Sequence, residues 1–173
     1  MNYNNIYTAS VSEGLGMRVV LFVSGCHHHC PGCFNEPTWN PCFGKPFTEE
    51  VIDNLIEKIN KPYIKGLSLC GGEPFYVSNR KPLLDFVRQV KKECPGKDIW
   101  CYTGAEYEDL LPGGKEFDQT GYELLRELDV LVAGPFLIEQ KDLTIAFRGS
   151  RNQYIVDVQE SLKKEKRIIL SID

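Results

Sequence analysis

The stretch that decides the fold is MRVVLFVSGCHHHCPGCFNE, residues 17–36. Its first part, residues 17–24, is a short β-branched and apolar run bounded by Gly16 and Gly25, which predicts a buried strand. Three cysteines follow directly after that strand. The stretch therefore predicts a strand that brings a cysteine-rich loop to one edge of a sheet.

The rest of the chain alternates between predicted strands and predicted helices. Helices are expected where apolar residues recur on one face, after Thr48, after Pro82 and over residues 121–129. Strands that alternate with helices form parallel sheets with right-handed crossovers, and four units are too few for an eight-fold barrel, which takes about 250 residues. We therefore predict an α/β fold, either an incomplete parallel β/α barrel or an open sheet. The further predicted strands are residues 64–69, 98–103, 129–134, 144–147, 153–158 and 167–172, with a charged connection at 159–166.

Length, composition and charge limit the class of protein. The chain has 173 residues, of which 42% are hydrophobic and 25% charged, and this predicts a single globular domain over residues 1–173. The formal net charge of −4 gives no reason to expect a nucleic acid or a membrane surface as partner. The start has no signal-peptide pattern, and no apolar run is long enough to cross a bilayer. We therefore expect a cytoplasmic protein.

The three cysteines of the loop, Cys26, Cys30 and Cys33, have the spacing C-x3-C-x2-C. Seven cysteines, an odd number, favour metal binding or catalysis over a disulfide framework. Thiolates bind zinc, copper(I) and iron–sulfur clusters. A structural zinc site needs a fourth ligand, such as a histidine or Cys42, whereas a four-iron cluster on three cysteines leaves one iron open to a substrate. The spacing alone favours the cluster and leaves zinc open.

A second motif, LCGGEP, follows the next predicted strand at residues 69–74. A glycine pair at a strand end lets a ligand approach the backbone closely, and Glu73 beside it can bind an ammonium group. A tight turn with a solvated glutamate explains the same residues if they are taken alone. In α/β sheets, however, ligands bind at the carboxyl ends of the strands. We therefore expect chemistry in the four loops that begin at Gly25, Gly71, Gly104 and Gly134.

Together the two motifs resemble those of the radical S-adenosylmethionine enzymes. The resemblance implies a partial β/α barrel of the radical S-adenosylmethionine type. Five stretches narrow the resemblance to the activating proteins of the anaerobic (class III) ribonucleoside-triphosphate reductases: FVSGCHHHCPGCFN (22–35), LCGGEP (69–74), CPGKDIWCYTG (94–104), DVLVAGPF (129–136) and RGSRNQ (148–153). Two positions depart from the pattern of these activating proteins: Ala133 stands where they often have an acidic residue, and Cys70 stands where a serine is usual.

This resemblance implies a residue-by-residue assignment of the site. Cys26, Cys30 and Cys33 would be the catalytic and metal-binding residues and hold one [4Fe-4S] cluster per chain. S-adenosylmethionine would chelate the open iron through its amino and carboxylate groups. The residues implied to contact S-adenosylmethionine are Gly32, Cys33, Phe34, Gly71, Gly72, Glu73, Tyr102 and Thr103.

The resemblance also implies a reaction and its partners. One electron, from a flavodoxin-like or other low-potential donor, would cleave S-adenosylmethionine to methionine and a 5′-deoxyadenosyl radical. That radical would take a hydrogen from a glycine of the large reductase subunit. Two alternatives remain open: a pyruvate formate-lyase-type activase or other radical enzyme with a different target, and a non-catalytic zinc module on the three cysteines and a histidine.

Several other residues have weaker signals. Cys42, Cys94 and Cys101 lack ligand spacing and are expected to be free thiols. The histidines at 27–29 fill a spacer that varies within the family, and we do not expect them to bind the metal. The polar residues Arg148, Ser150, Asn152 and Gln153 could bind cofactor or partner, or form a turn that orders the last segment.

Overall fold

Seven strands form one open, mixed sheet in the computed structural model of the protein, which describes residues 1–172. The order across the sheet is β3-β1-β2-β4-β5-β6-β7. The central strands β2, β4, β5 and β6 are parallel, whereas β1, β3 and β7 each pair antiparallel with their neighbours. The strands are β1 (Asn2–Ser10), β2 (Arg18–Val23), β3 (Lys45–Pro46), β4 (Gly66–Gly71), β5 (Asp98–Tyr102), β6 (Val130–Ala133) and β7 (Tyr154–Asp157).

Helices connect the parallel strands, as the alternating pattern predicts. α1 leads from β3 towards β4, α2 connects β4 to β5, and α3 connects β5 to β6. α1 begins directly after Thr48, and its buried residues Leu55, Ile56 and Ile59 recur at helical spacing. The α/β class is thereby confirmed. The four helices are α1 (Glu49–Ile59), α2 (Arg80–Glu93), α3 (Gln119–Glu127) and α4 (Val158–Lys164).

The two faces of the sheet bury different kinds of residue. Because successive side chains of a strand point to opposite faces, Val19 and Leu21 of β2 join the main core with the helices, while Arg18 lies on the other face. There the Arg18 guanidinium lies 5.3 Å from the Trp100 ring centre and pairs with the Asp98 carboxylate at 2.6 Å. Nearer the carboxyl ends of the strands, this second face opens into a cavity.

Two strand predictions in the last part of the chain are wrong. Residues 144–147 form turns and not a strand, because the amide and hydroxyl of Thr144 both donate to the Asp142 carboxylate. Residues 167–172 contribute only an isolated bridge, between Ile169 and Val156. The charged connection at 159–166 is mostly the helix α4.

The sheet is not closed within residues 1–172, where β3 and β7 are its two edges. The partial barrel therefore stays a prediction, as does the single domain over residues 1–173, of which Asp173 lies outside the described residues. Among residues 1–172, no helix has both the length and the apolar character that a membrane span needs.

Candidate functional site

The loops after β2, β4, β5 and β6 meet around one cavity of about 300 Å³. All four loops that the sequence singled out contribute to its wall. They come together because the carboxyl ends of parallel strands share one edge of the sheet. The lining residues from these loops include Cys26, His28, Cys30, Cys33 and Phe34, then Cys70, Gly71 and Gly72, then Tyr102, Thr103 and Gly104, and finally Gly134 and Phe136.

Backbone hydrogen bonds hold the cysteine loop at its start and close a turn within it. The amide of Gly25 donates to the Thr38 carbonyl at 2.7 Å, and the amide of Cys33 donates to the Cys30 carbonyl at 3.1 Å. Gly32 has φ +75°, a conformation that favours glycine, and this lets the chain turn between the second and third cysteines. The loop thus presents three half-buried cysteines to the cavity.

The donor set of the cysteine loop suits an iron–sulfur cluster. Thiolates are the ligands that hold such clusters. A four-iron cluster binds each thiolate to a different iron. The donor set of three half-buried thiols around a cavity therefore fits a [4Fe-4S] cluster.

Burial changes the chemistry of the first cysteine. It raises the pKa of the Cys26 thiol to about 11, because the charged thiolate is poorly solvated there. Since thiolates and not thiols bind iron, metal binding must displace this proton.

The glycine pair brings two loops into close contact. The amide of Gly72 donates to the Val23 carbonyl, and the amide of Glu73 donates to the Gly25 carbonyl, both at 2.8 Å. A Cβ on Gly72 would lie 2.6 Å from the Gly25 carbonyl oxygen, and one on Gly71 would collide with the backbone of Val23. The absence of side chains at Gly71 and Gly72 is therefore needed for their packing against the end of β2 and the cysteine loop.

Glu73 is buried, with 1% of its surface exposed, so the alternative of a solvated glutamate is wrong. One carboxylate oxygen, Oε1, accepts from the Phe75 amide and the Thr103 hydroxyl, each at 2.9 Å. The other, Oε2, accepts from the Gly104 amide at 2.9 Å and from His28 Nε2 at 2.7 Å. Four donors from three loops thus surround one carboxylate.

The electrostatics of this pair favour its charged form. Burial acts to raise the pKa of Glu73, but the hydrogen bonds and charge of His28, together with the two backbone donors, outweigh it, so the pKa is lowered. Burial acts to lower the pKa of His28, but Glu73 outweighs it, so that pKa is raised. No local sequence pattern indicates this role of His28, because its partner lies 45 residues away.

The chain is similar to known proteins over most of its length. A family model described as a 4Fe-4S single cluster domain matches residues 12–156. The anaerobic ribonucleoside-triphosphate reductase-activating protein of Escherichia coli (strain K12) is 40% identical over 157 residues, which cover 90% of this chain and 97% of the relative. The corresponding protein of Vibrio cholerae is 43% identical, again over 90% of this chain and 97% of the relative. That of Enterobacteria phage T4 is 41% identical over 88% of this chain and 92% of the relative.

The chain belongs to this family of activating proteins. The resemblance drawn from the five sequence stretches is confirmed, the chain is an enzyme of this family, and its domain is of the 4Fe-4S type. Membership therefore removes the alternative of a non-catalytic zinc module.

The other residues predicted to contact S-adenosylmethionine lie at different depths in the cavity. Phe34 is at the rim, 69% exposed, with its ring centre 5.7 Å from that of Phe136. Tyr102 lies deeper, where burial raises the pKa of its phenol and where, among the described residues, its hydroxyl has no hydrogen-bond partner. Thr103 faces Glu73, as its hydrogen bond shows.

The polar motif at 148–153 forms a hydrogen-bonded turn. The side chain of Gln153 accepts from the amides of Gly149 and Ser150 and donates to the Gly134 carbonyl at 2.9 Å. Asn152 donates to the Pro135 carbonyl at 2.7 Å. The motif therefore orders the loop after β6, which lines the cavity.

Proposed function

We propose that the chain activates an anaerobic ribonucleoside-triphosphate reductase by forming a radical on one of its glycines, with one [4Fe-4S] cluster and S-adenosylmethionine as cofactors. The observation that carries the proposal is that three half-buried cysteines and a glycine turn line one cavity in a chain of this family. When bound, these cofactors supply the 5′-deoxyadenosyl radical that takes a hydrogen from the glycine Cα of the reductase.

The residues of the chain have distinct tasks in this proposal. The thiolates of Cys26, Cys30 and Cys33 hold three irons and leave the fourth to S-adenosylmethionine. The main chain of residues 71–73, at the end of β4, contacts the methionine part of the cofactor, since Gly71 and Gly72 border the cavity beside the cysteines and Glu73 directly follows them. The walls of the cavity exclude water from the reacting atoms.

The remaining contacts follow from position along the cavity. Cys33 and Phe34 line the cavity on the side of the cysteine loop, where they contact the adenine part together with the main chain of Gly32, which directly precedes them. Tyr102 and Thr103 complete the pocket at the end of β5. A low-potential one-electron donor, such as a flavodoxin-like protein, reduces the cluster. The fold that supports this site is one domain with a partial β/α barrel.

The first test of the proposal is cleavage of the cofactor. The protein is reconstituted anaerobically with iron and sulfide, reduced with dithionite and mixed with S-adenosylmethionine, and 5′-deoxyadenosine is measured by chromatography. We expect one 5′-deoxyadenosine for each methionine in the wild type and none in Cys30→Ala. Cys42→Ala, which changes an exposed cysteine outside the cavity, is the matched control and should behave as the wild type.

Two outcomes would contradict the proposal. One is a colourless protein that retains a single zinc ion after reconstitution. The other is a protein with a full, reducible cluster that makes no 5′-deoxyadenosine.

A further inference from the structure

We propose that His28 is a positioning residue of the cofactor site, which holds the carboxylate of Glu73 and so links the cysteine loop to the turn that contacts S-adenosylmethionine. The assignment rests on the proposed use of S-adenosylmethionine and adds to it a residue that no motif identifies. His28 acts through Glu73 and not by binding iron or cofactor itself.

The geometry of the pair is that of a strong, shielded hydrogen bond. His28 Nε2 lies 2.7 Å from Glu73 Oε2, and the two side chains are 14% and 1% exposed. An ionised carboxylate only accepts hydrogen bonds, so the proton of this bond belongs to Nε2. Such charge-assisted bonds are stronger than neutral ones, and burial protects this one from screening by salt.

Donors of the protein itself use the full hydrogen-bonding capacity of the Glu73 carboxylate. Its two oxygens accept four hydrogen bonds, which is the capacity of a carboxylate. Phe75 belongs to the same loop as Glu73, and Thr103 and Gly104 belong to the loop after β5. Of the four donors only His28 comes from the cysteine loop. The carboxylate thus contributes to the cofactor site by fixing the position of the turn at residues 71–73, to which Glu73 belongs.

The ring of His28 has a defined place between these loops. A Cβ on Gly104 would lie 2.6 Å from His28 Cδ2, so the loop after β5 leaves just enough space for the imidazole. His28 also stands between two of the proposed ligands, Cys26 and Cys30, in the sequence. The binding of iron by these cysteines therefore fixes the backbone that carries the imidazole.

A coupling between the two cofactors follows from this arrangement. If the cluster loop orients His28, and His28 orients the turn at 71–73, the cluster favours the binding of S-adenosylmethionine. Coupling between binding sites is reciprocal. S-adenosylmethionine should therefore slow the release of iron from the wild type to a chelator, and should do so less in a His28 variant.

The test compares His28→Ala, His28→Gln and His27→Ala in cluster-loaded protein. Affinity for S-adenosylmethionine is measured by equilibrium dialysis with the oxidised cluster, which lacks the electron that cleaves the cofactor, and values are normalised to iron content. Samples that are reduced and frozen at once give the electron paramagnetic resonance spectrum of the complex. We expect His28→Ala to bind on the order of tenfold more weakly, the scale of one hydrogen bond to a charged group. His28→Gln, which keeps an N–H donor, should bind within about threefold of the wild type.

His27→Ala is the matched control, because His27 is adjacent but 41% exposed and contacts Glu116 and not Glu73. It should bind as the wild type does. A merely structural role of His28 would lower the temperature of unfolding without changing the spectrum that S-adenosylmethionine produces, and so it can be told apart.

Two results would overturn the role of His28. The first is wild-type affinity in His28→Ala with a full cluster. The second is a His28→Gln variant that binds as weakly as the alanine variant, and this second variant decides the question if His28→Ala does not retain its cluster. A wild-type protein that binds no S-adenosylmethionine would contradict the proposed function instead.

Discussion

At the scale of single residues, the site depends on small side chains where two loops touch. Gly71 has φ +107°, and both it and Gly72 pack against the backbone at the end of β2. The neighbouring atoms belong to the main chain and not to flexible side chains, so they cannot move aside easily. The cysteine loop and the glycine turn therefore have a fixed relative position.

Gly71→Ala tests this contact. It combines an unfavourable positive φ with a collision against the Val23 backbone, and we expect the free energy of unfolding to fall by about 3 kcal/mol. Urea unfolding followed by circular dichroism under anaerobic, reducing conditions measures the change. An alanine variant as stable as the wild type would show that the two loops are not packed in this way.

The residues of the site differ in how far the sequence reveals them. The cysteines are predictable because metal ligation demands particular side chains at particular spacing, and the glycines are predictable because they end a strand. His28 is not predictable, because its role depends on a partner brought close only by the fold. The burial of Glu73 is not predictable either, because the neighbouring sequence alone indicates a solvated turn residue.

At the scale of elements, the central strands and their helices follow from local sequence, while the edges do not. β2, β4, β5 and β6 are buried apolar runs, and these are unambiguous. The first strand, β1, is rich in asparagine and contains no fully buried residue, so it lacks the pattern of a buried strand and the sequence does not predict it. It forms because β2 and β3 offer hydrogen-bond partners on both of its sides.

Helix α3 contains a glycine that its packing does not require. A Cβ on Gly121 would lie 3.5 Å from its nearest neighbours, which is ordinary contact, and its backbone is helical. We expect Gly121→Ala to raise the free energy of unfolding by about 0.5 kcal/mol, because alanine loses less backbone entropy in a helix. Its amide keeps the hydrogen bond to the capping Asp118, and urea unfolding should show a higher midpoint. A lower urea midpoint would mean that the packing around Gly121 is too tight for the added methyl group.

The start of β5 pairs with a buried arginine on β2. Arg18 is fully buried, and Asp98, which is 27% exposed, is its ionic partner. We expect Asp98→Ala to lower the free energy of unfolding by about 3 kcal/mol, because it leaves a buried charge without its partner. The control is Asp85→Ala, since Asp85 pairs with Lys81 on the exposed side of α2 and should contribute less than about 1 kcal/mol. Equal effects of the two variants in urea unfolding would contradict the importance of the buried pair.

At the scale of the whole molecule, function follows from topology. Parallel order brings four loops that are far apart in the sequence to one edge of the sheet, and each contributes one part of the wall of a single cavity. The convergence of the loops could be predicted from the alternation of strands and helices. The closure of the sheet could not, because it depends on the edge strands, whose sequence signals are weak.

Formation of a glycyl radical on the reductase is the decisive measurement of the proposed function. Reduced, cluster-loaded protein is mixed anaerobically with S-adenosylmethionine and an anaerobic ribonucleoside-triphosphate reductase, and the mixture is examined by electron paramagnetic resonance, with Cys30→Ala as the inactive control. We predict a glycyl radical signal on the reductase with the wild type and none with Cys30→Ala. Production of 5′-deoxyadenosine without any glycyl signal would contradict the account and assign the chemistry to a different target.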